Sequence, residues 1–144
     1  TDTEVLFVCV GGNSPQDDNP NIHYVGYIND PQIMSLYYSA ADIFLFTSIA
    51  ENFPLVTLEA MACGTPVVAF DVGGTAEAVE HNKNGYVAKY KSSDDLILGI
   101  KKILALPSSE FNTISNTNST KIIQNFTVDH MVNKYLELYN SLLT

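Results

Sequence analysis

The chain is short of positive charge. Seven Lys and Arg residues face sixteen Asp and Glu, for a net charge of −9. A surface that acidic repels phosphate backbones and anionic headgroups, which argues against nucleic-acid binding and against direct membrane binding. Cysteine is scarce: Cys9 and Cys63 are the only two. Both sit inside apolar runs and at no short metal-ligand spacing, which argues against a disulfide framework or a zinc site. No apolar run reaches the ~20 residues that span a bilayer. Gly and Pro stand at ordinary levels, eight and six, which excludes collagen-like and low-complexity chains. What is present is 144 residues, 46% apolar and 16% charged. That suffices for one globular domain with a real core and is too little for two ordinary ones.

A hydrophobic strand opens almost at once, Val5 to Val10, and ends at Gly11-Gly12. It follows Thr1 with no signal-like leader, the pattern expected of a piece cut from a longer chain. Its continuous apolar run predicts burial on both faces. A polar loop from Asn13 to Asn21 leads to a second short strand, Ile22 to Val25, closed by Gly26. Asp30-Pro31 supplies an N-cap and a first helical residue for a helix to about Ala41, with Ile33, Met34, Tyr37 and Ala41 on one face. Ile43 to Phe46 reads as the next buried strand. After a loop from Thr47 to Phe53, Pro54 opens a helix to Cys63 that Gly64 stops. Val67 to Phe70 is a strand, followed by Asp71-Val72-Gly73-Gly74 and a short helix around Ala76 to Glu80. Asn82 to Gly85 is a turn and Tyr86 to Ala88 a short extended piece. Ser93 is expected to cap a helix to about Leu106, with Leu96, Ile97, Ile100, Ile103 and Leu104 inward and Pro107 beyond its end. Ser108 to Asn125 is polar and weakly periodic, helical in its second half. Thr127 caps a last helix with Val128, Met131, Tyr135, Leu138, Tyr139 and Leu142 at helical spacing.

Short buried strands alternating with helices mean a parallel sheet covered on both faces, an α/β, Rossmann-like doubly wound domain. Ligands of such folds bind beyond the C-terminal ends of the strands. The loops after Val10, Phe46 and Phe70 are therefore the candidates. The most informative stretch runs from Glu51 to Glu59. Glu51 lies just ahead of a helix N-terminus, where free amides and the positive end of the dipole favour an anion such as a diphosphate. Glu59 is the only charge from Pro54 to Gly64, and Thr57 points about 200° round the helix from it. A lone carboxylate on an apolar helix needs a partner, which a ligand's hydroxyls or a lysine elsewhere in the fold can supply. Glu51 can equally cap the helix or be solvated. The residue pattern alone leaves these readings open.

Smaller signals carry bland readings. Gly11-Gly12 reads as a tight turn. His23, His81 and His130 are scattered, with no metal-ligand or triad partner at useful spacing. Asp17-Asp18 and Asp94-Asp95 read as solvated or capping residues, and Tyr37-Tyr38 and the Tyr135/Tyr139 pair as packing aromatics. Gly73-Gly74 is placed either to line a ligand site or to make a structural turn, and Glu77 either to meet ligand or to favour the start of a helix. Asn118-Ser-Thr120 and Asn125-Phe-Thr127 match the glycosylation acceptor pattern, which has no consequence in a cytosolic chain.

The run Glu51-Asn-Phe-Pro-Leu-Val-Thr-Leu-Glu59-Ala-Met-Ala-Cys-Gly-Thr-Pro-Val-Val-Ala69, continuing to Gly73-Gly74-Thr-Ala-Glu77, closely resembles the retaining GT-B glycosyltransferases known as group 1, or family 4. The shared elements are two glutamates separated by seven residues, Ala-Met-Ala, Gly-x-Pro-Val-Val and a Gly-Gly-x-x-Glu turn, in that order. Tyr24-Val-Gly-Tyr27, Ser39-Ala-Ala-Asp-Ile-Phe-Leu-Phe-Thr-Ser48 and Asn84-Gly-Tyr-Val87 match as well, so the likeness covers roughly Val5 to Leu106. It implies the C-terminal, donor-binding half of a GT-B fold. Residues 1–125 would be a partial nucleotide-sugar-binding domain, and 126–144 a helix crossing back to an absent N-terminal domain with its apolar face left partly bare.

By the same resemblance, Glu51 is the catalytic candidate, positioning the donor sugar's hydroxyls and not acting as a nucleophile. Asn52 and Phe53 adjoin it, and Asn52 stands where many relatives carry Gly. The amides of Leu55 and Val56 would cradle the diphosphate, and Glu59 would hold the ribose hydroxyls. Main-chain atoms near Tyr27 and Ile28 would meet the base. The implied donor is a nucleoside-diphosphate sugar, with no metal and no further cofactor. The implied acceptor is a glycan or glycolipid held by the N-terminal domain, with no nucleic-acid partner. Membrane contact would come only through the whole enzyme or its acceptor, in the cytoplasm or at the inner face of the membrane. Relatives also carry an upstream Arg and Lys that neutralise the diphosphate, so this piece is expected not to turn over alone. A sugar-nucleotide 2-epimerase or a phosphorylase on the same plan, and a non-catalytic nucleotide-sugar-binding module, are the alternatives.

Overall fold

The computed structural model describes residues 4–12 and 19–143, so Asp17-Asp18 and most of the predicted loop from Asn13 lie outside the described residues. The chain forms two compact units, Thr1–Tyr37 and Tyr38–Thr144. In the first, β1 (Phe7–Val10) and β2 (Ile22–Gly26) pair in parallel with Phe7 opposite Ile22. Gly11 and Gly12 turn the chain at φ +89° and +72°, as a tight turn requires. β1 departs from expectation, because Phe7 and Val8 are exposed. Burial on both faces needs layers above and below the strand, and among the described residues β1 pairs with β2 alone. Asp30 caps α1 (Pro31–Ala40), its carboxylate accepting from the Gln32 amide at 2.8 Å. The expected apolar face of that helix is shifted: Ile33 is exposed, and the buried residue is Tyr38, which begins the second unit.

The second unit is built on a parallel sheet in the order β3 (Phe44–Phe46), β4 (Val67–Phe70), β5 (Gly85–Ala88). Central β4 is buried along its whole length, whereas edge strand β3 is only half-buried. Register sorts the side chains, with Leu45, Val68 and Tyr86 on one face and Phe44 and Val67 on the other. The first face meets α4 (Ser93–Leu104), whose Leu96 and Ile103 join Val68, Phe70, Tyr86 and Ala88 in one core cluster. The helix lies so close that a Cβ on Gly99 would meet the Tyr86 ring, with Cγ at 2.8 Å. That approach selects the stripe 96, 99, 100, 103, so Ile97 and Leu104, expected inward, are exposed. Ser92, one residue earlier than expected, is the cap, accepting from the Asp95 amide. On the Phe44 side, α2 (Leu55–Ala62) packs against β3 and β4 with Ala60 and Met61 fully buried. The short helix α3 (Thr75–Ala78) connects β4 to β5.

α5 (Ser108–Asn125) is helical from its first residue, not only in its second half. It is held by polar anchors, which leave no apolar period to read. Asn118, fully buried, donates to the Thr65 and Asn84 carbonyls at 3.3 and 3.0 Å, at the residues leading into β4 and β5. Lys121 donates to the Ala78 carbonyl and to Glu80, both at 2.8 Å. Thr127 caps α6 (Val128–Leu142) through the His130 amide as expected, and no residue of that helix is buried. Its apolar row, from Val128 and Met131 to Leu142, is exposed.

Glu80 offers a test of this anchoring. Hydrogen bonds from Lys121 first, then Lys83, hold its carboxyl at about 2, below the ordinary 4.5. A depressed folded pKa stabilises above the unfolded value and ceases to do so as pH falls through the folded one. Thermal unfolding followed from pH 4.5 down to about 2 should show a fall in midpoint that Lys121→Met flattens. Equal slopes in both proteins would remove this anchor from the account.

Candidate functional site

Three loops leave the C-terminal ends of β3, β4 and β5 and are tied to one another. The Tyr90 hydroxyl, after β5, donates to the Ile49 carbonyl at 3.0 Å. The Gly74 amide, after β4, donates to the Asn52 carbonyl at 2.7 Å. Gly73 has φ +51°, and a Cβ there would strike the Glu51 carbonyl and come within 2.6 Å of that of Asn52. A Cβ on Gly74 would enter the Phe53 ring. The two glycines are thus a structural turn whose work is to seat the 51–53 loop. Glu77, in the first turn of α3, is exposed.

The Glu51 carboxylate is exposed and accepts from the Asn52 amide at 3.1 Å. It does not cap α2, whose N-terminus has no side-chain cap. Pro54, expected as the first helical residue, is the N-cap, with φ −79° and ψ 98°. Phe53 turns its ring onto Phe126, with centroids 6.1 Å apart. Leu55 and Val56 carry the first amides of the helix, the positions that an α-helix leaves without an intrahelical acceptor, and both side chains are exposed. The Thr57 amide donates to the Pro54 carbonyl at 3.0 Å. At the far end the Gly64 and Thr65 amides bond back to Met61 and Ala60 at 2.9 and 3.0 Å, closing the helix with the left-handed glycine expected.

Glu59 is exposed, and its partner is a tyrosine. The Tyr38 hydroxyl donates to its Oε2 at 3.1 Å, and among the described residues no lysine lies within ion-pair distance. Burial first, then the hydrogen bond and charge of Glu59, push the Tyr38 phenol well above its ordinary value of 10. Pairing of Glu59 with a lysine, left open by its sequence, is thus not what the fold builds. Tyr38 and Tyr90 are the contributions that sequence reasoning missed. An aromatic at a helical position looks the same whether its hydroxyl is used or not. Glu51, Asn52, Phe53, Leu55, Val56 and Glu59 come together around the start of α2. Tyr27 and Ile28 follow β2 in the other unit, Tyr27 exposed and Ile28 half-buried. Among the described residues no group of three His, Cys, Asp or Glu is placed to hold a metal. No Lys or Arg precedes Lys83 in the chain.

Residues 17–120 match the family model of the glycosyl transferases group 1. The chain belongs to that family. The match begins later than the Val5 expected from the motifs, leaving β1 outside it, and reaches into α5, beyond the expected limit at Leu106. The chain is 31% identical over 148 aligned residues to the N,N'-diacetylbacillosaminyl-diphospho-undecaprenol alpha-1,3-N-acetylgalactosaminyltransferase of Campylobacter jejuni, covering 95% of this chain and 37% of that one. Among solved structures, sucrose-phosphate synthase from Thermosynechococcus elongatus matches with TM-score 0.80 and 29% identity, over 94% of this chain and 38% of that one. Anabaena HepE in complex with UDP-glucose matches with TM-score 0.72 and 29% identity, over 85% and 33%. The fold is therefore the Rossmann-like half of a GT-B glycosyltransferase. The chain spans well under half the length of the curated relatives it matches.

The glycine seat of the loop is testable by coupling. Gly74 has φ −79°, so Gly74→Ala brings no backbone strain and acts mainly through Phe53, with the Asn52 carbonyl oxygen a lesser contact at 3.2 Å. It should cost about 1–3 kcal/mol in chemical denaturation, and a Phe53→Leu background should recover much of that loss. Additive losses would show that the ring and the glycine do not depend on each other.

Proposed function

We propose that this chain is the donor-binding portion of a retaining, metal-independent glycosyltransferase that uses a nucleoside-diphosphate sugar. The observation that carries the reading is one open helix start with a carboxylate on either side: Glu51 ahead of α2, the uncapped first turn, and Glu59 four residues past Leu55. A helix end of this kind stabilises the negative charge that grows on a leaving diphosphate, through the amides of Leu55 and Val56 and the dipole behind them. Pro54 has no N–H and takes no part. Glu51, the catalytic candidate, accepts from hydroxyls of the donor sugar and so fixes its orientation, without serving as a nucleophile. Glu59 accepts from the hydroxyls of the ribose. Asn52 and Phe53 set the shape of the loop beside the sugar. The base is assigned to main-chain atoms near Tyr27 and Ile28, a role that the family resemblance alone supports.

The HepE complex with UDP-glucose makes a uridine-diphosphate sugar the first donor to try. The undecaprenol-linked substrate in the Campylobacter enzyme's name supports a glycan or glycolipid acceptor, presented at the cytoplasmic face of a membrane. That acceptor is assigned to the remainder of the full-length protein. The same remainder is assigned the cations that neutralise the diphosphate, as the family resemblance implies. The chain alone is therefore inactive in this reading.

Ligand-detected NMR with UDP, GDP, ADP and CDP on the full-length protein tests the proposal. One nucleotide should show saturation transfer, and Glu59→Ala should weaken it about tenfold or more. Binding that survives the substitution unchanged would put the ribose elsewhere. Donor consumption without transfer to any acceptor would favour the epimerase, and donor binding without transfer or hydrolysis the non-catalytic module. Robust transfer by this chain alone would overturn its assigned inactivity.

A further inference from the structure

Tyr38 is the buried residue of α1, 5% exposed, and the roles assigned so far give it none. It is fixed at three points. Its carbonyl accepts from the Thr65 hydroxyl at 2.6 Å, on the residue before Pro66 and β4. Its ring meets Phe44 of β3 edge-on, with centroids 5.4 Å apart and planes at 86°. Its hydroxyl reaches Oε2 of Glu59 at 3.1 Å. Two of these anchors belong to the sheet and its entry, so the phenol is a donor held by the rigid part of the fold. Glu59 is the opposite case, an exposed side chain with three rotatable bonds and, among the described residues, no lysine within ion-pair distance.

We infer that Tyr38 is a positioning residue for the nucleotide ribose, its hydroxyl holding the Glu59 carboxylate in the orientation that accepts the two vicinal ribose hydroxyls. The inference rests on the assignment of the ribose to Glu59. A carboxylate offers about four lone-pair sites; one is taken by Tyr38, and the others stay open to a diol. The donor's chemistry matters. A lysine in this place would orient the carboxylate and also neutralise it, weakening its pull on hydroxyl protons. A neutral phenol selects the rotamer and leaves the charge. Burial first, then the neighbouring Glu59 carboxylate and, less, Cys63 raise that phenol above its ordinary range, so it stays a donor where an ordinary tyrosine ionises.

The test uses the full-length enzyme and, from UDP, GDP, ADP and CDP, the nucleotide that binds best, together with its 2′,3′-dideoxy form. Tyr38→Phe keeps the ring and removes the hydroxyl. It should weaken the parent nucleotide about tenfold and leave the dideoxy form unchanged, raising KM for the donor more than it lowers kcat. Equal weakening of both ligands would mean a merely structural tyrosine, and no weakening of either an idle one; each overturns the inference. Glu59→Ala separates the underlying reading. If the wild type prefers the ribonucleotide and Glu59→Ala retains that preference, the ribose is not on Glu59 and both assignments fall. Failure of all four nucleotides to bind has the same consequence. A wild-type measurement stands apart from any variant's folding: the ratio of the two Kd values should stay level from about pH 6 to about pH 10. A collapse of that ratio near pH 10, where an ordinary tyrosine ionises, would contradict a phenol held protonated beside Glu59.

Discussion

The site depends on how closely two glycines approach the carbonyls of the neighbouring loop. Gly73 and Gly74 follow, after two intervening residues, on β4, whose residues are buried along its whole length, so the chain leaves the sheet at a fixed place. There the Gly74 amide bonds the Asn52 carbonyl, and the bare Cα of Gly73 lies against the carbonyls of Glu51 and Asn52. A side chain at Gly73 would push the loop outward. With the loop in place, Pro54 follows as N-cap, and that sets where α2 starts and where its dipole points. Glu59 then falls one turn further on. Phe53 is turned aside onto Phe126. A rigid strand thus determines a loop, and the loop a helix start.

The free main-chain amides at that helix start are a source of positive potential. The two carboxylates on either side repel an anion and attract hydroxyl protons. A ligand that satisfies all three must carry its negative charge in the middle and hydroxyl groups at both ends. A nucleoside-diphosphate sugar has that layout, with sugar, diphosphate and ribose in sequence. Amides alone are a modest source of charge, so a diphosphate bound with full strength needs cations beside them.

Most of the local structure was legible because local chemistry decides it. Asp30-Pro31, Gly64 and Thr127 mark helix ends through backbone hydrogen bonds that any sequence of this kind must satisfy, and β4 reads as buried because nothing polar interrupts it. The glutamate pair was legible only as a pattern, since the residues alone left Glu59 to a ligand or to a lysine. What stayed hidden was set at a distance. Gly99 turns α4 by meeting Tyr86, so Ile97 and Leu104 lie outside a stripe that their spacing had placed them in. Tyr38 and Asn118 each look ordinary in sequence, and each is defined by partners twenty or more positions away. β1 looked buried because its composition is apolar, whereas burial needs covering layers that composition does not supply.

Asn118 also explains how one sheet serves both stability and an open edge. Its amide joins the chain entering β4 to the chain entering β5, and its own Oδ1 is left without a partner. An unsatisfied buried acceptor costs about 1–3 kcal/mol, so the two donated bonds must return more than that. They do so by closing, within one helix, two backbone carbonyls that would otherwise be stranded at the N-terminal edge of the sheet. Lys121 repeats the device at Ala78 and Glu80. With the entering ends pinned by α5, the leaving ends need no covering helix to stay in register. Their loops are tied to one another by Gly74 to Asn52 and by Tyr90 to Ile49. That leaves the start of α2 exposed on an edge that is already rigid, which is the condition for binding a ligand without first ordering the protein.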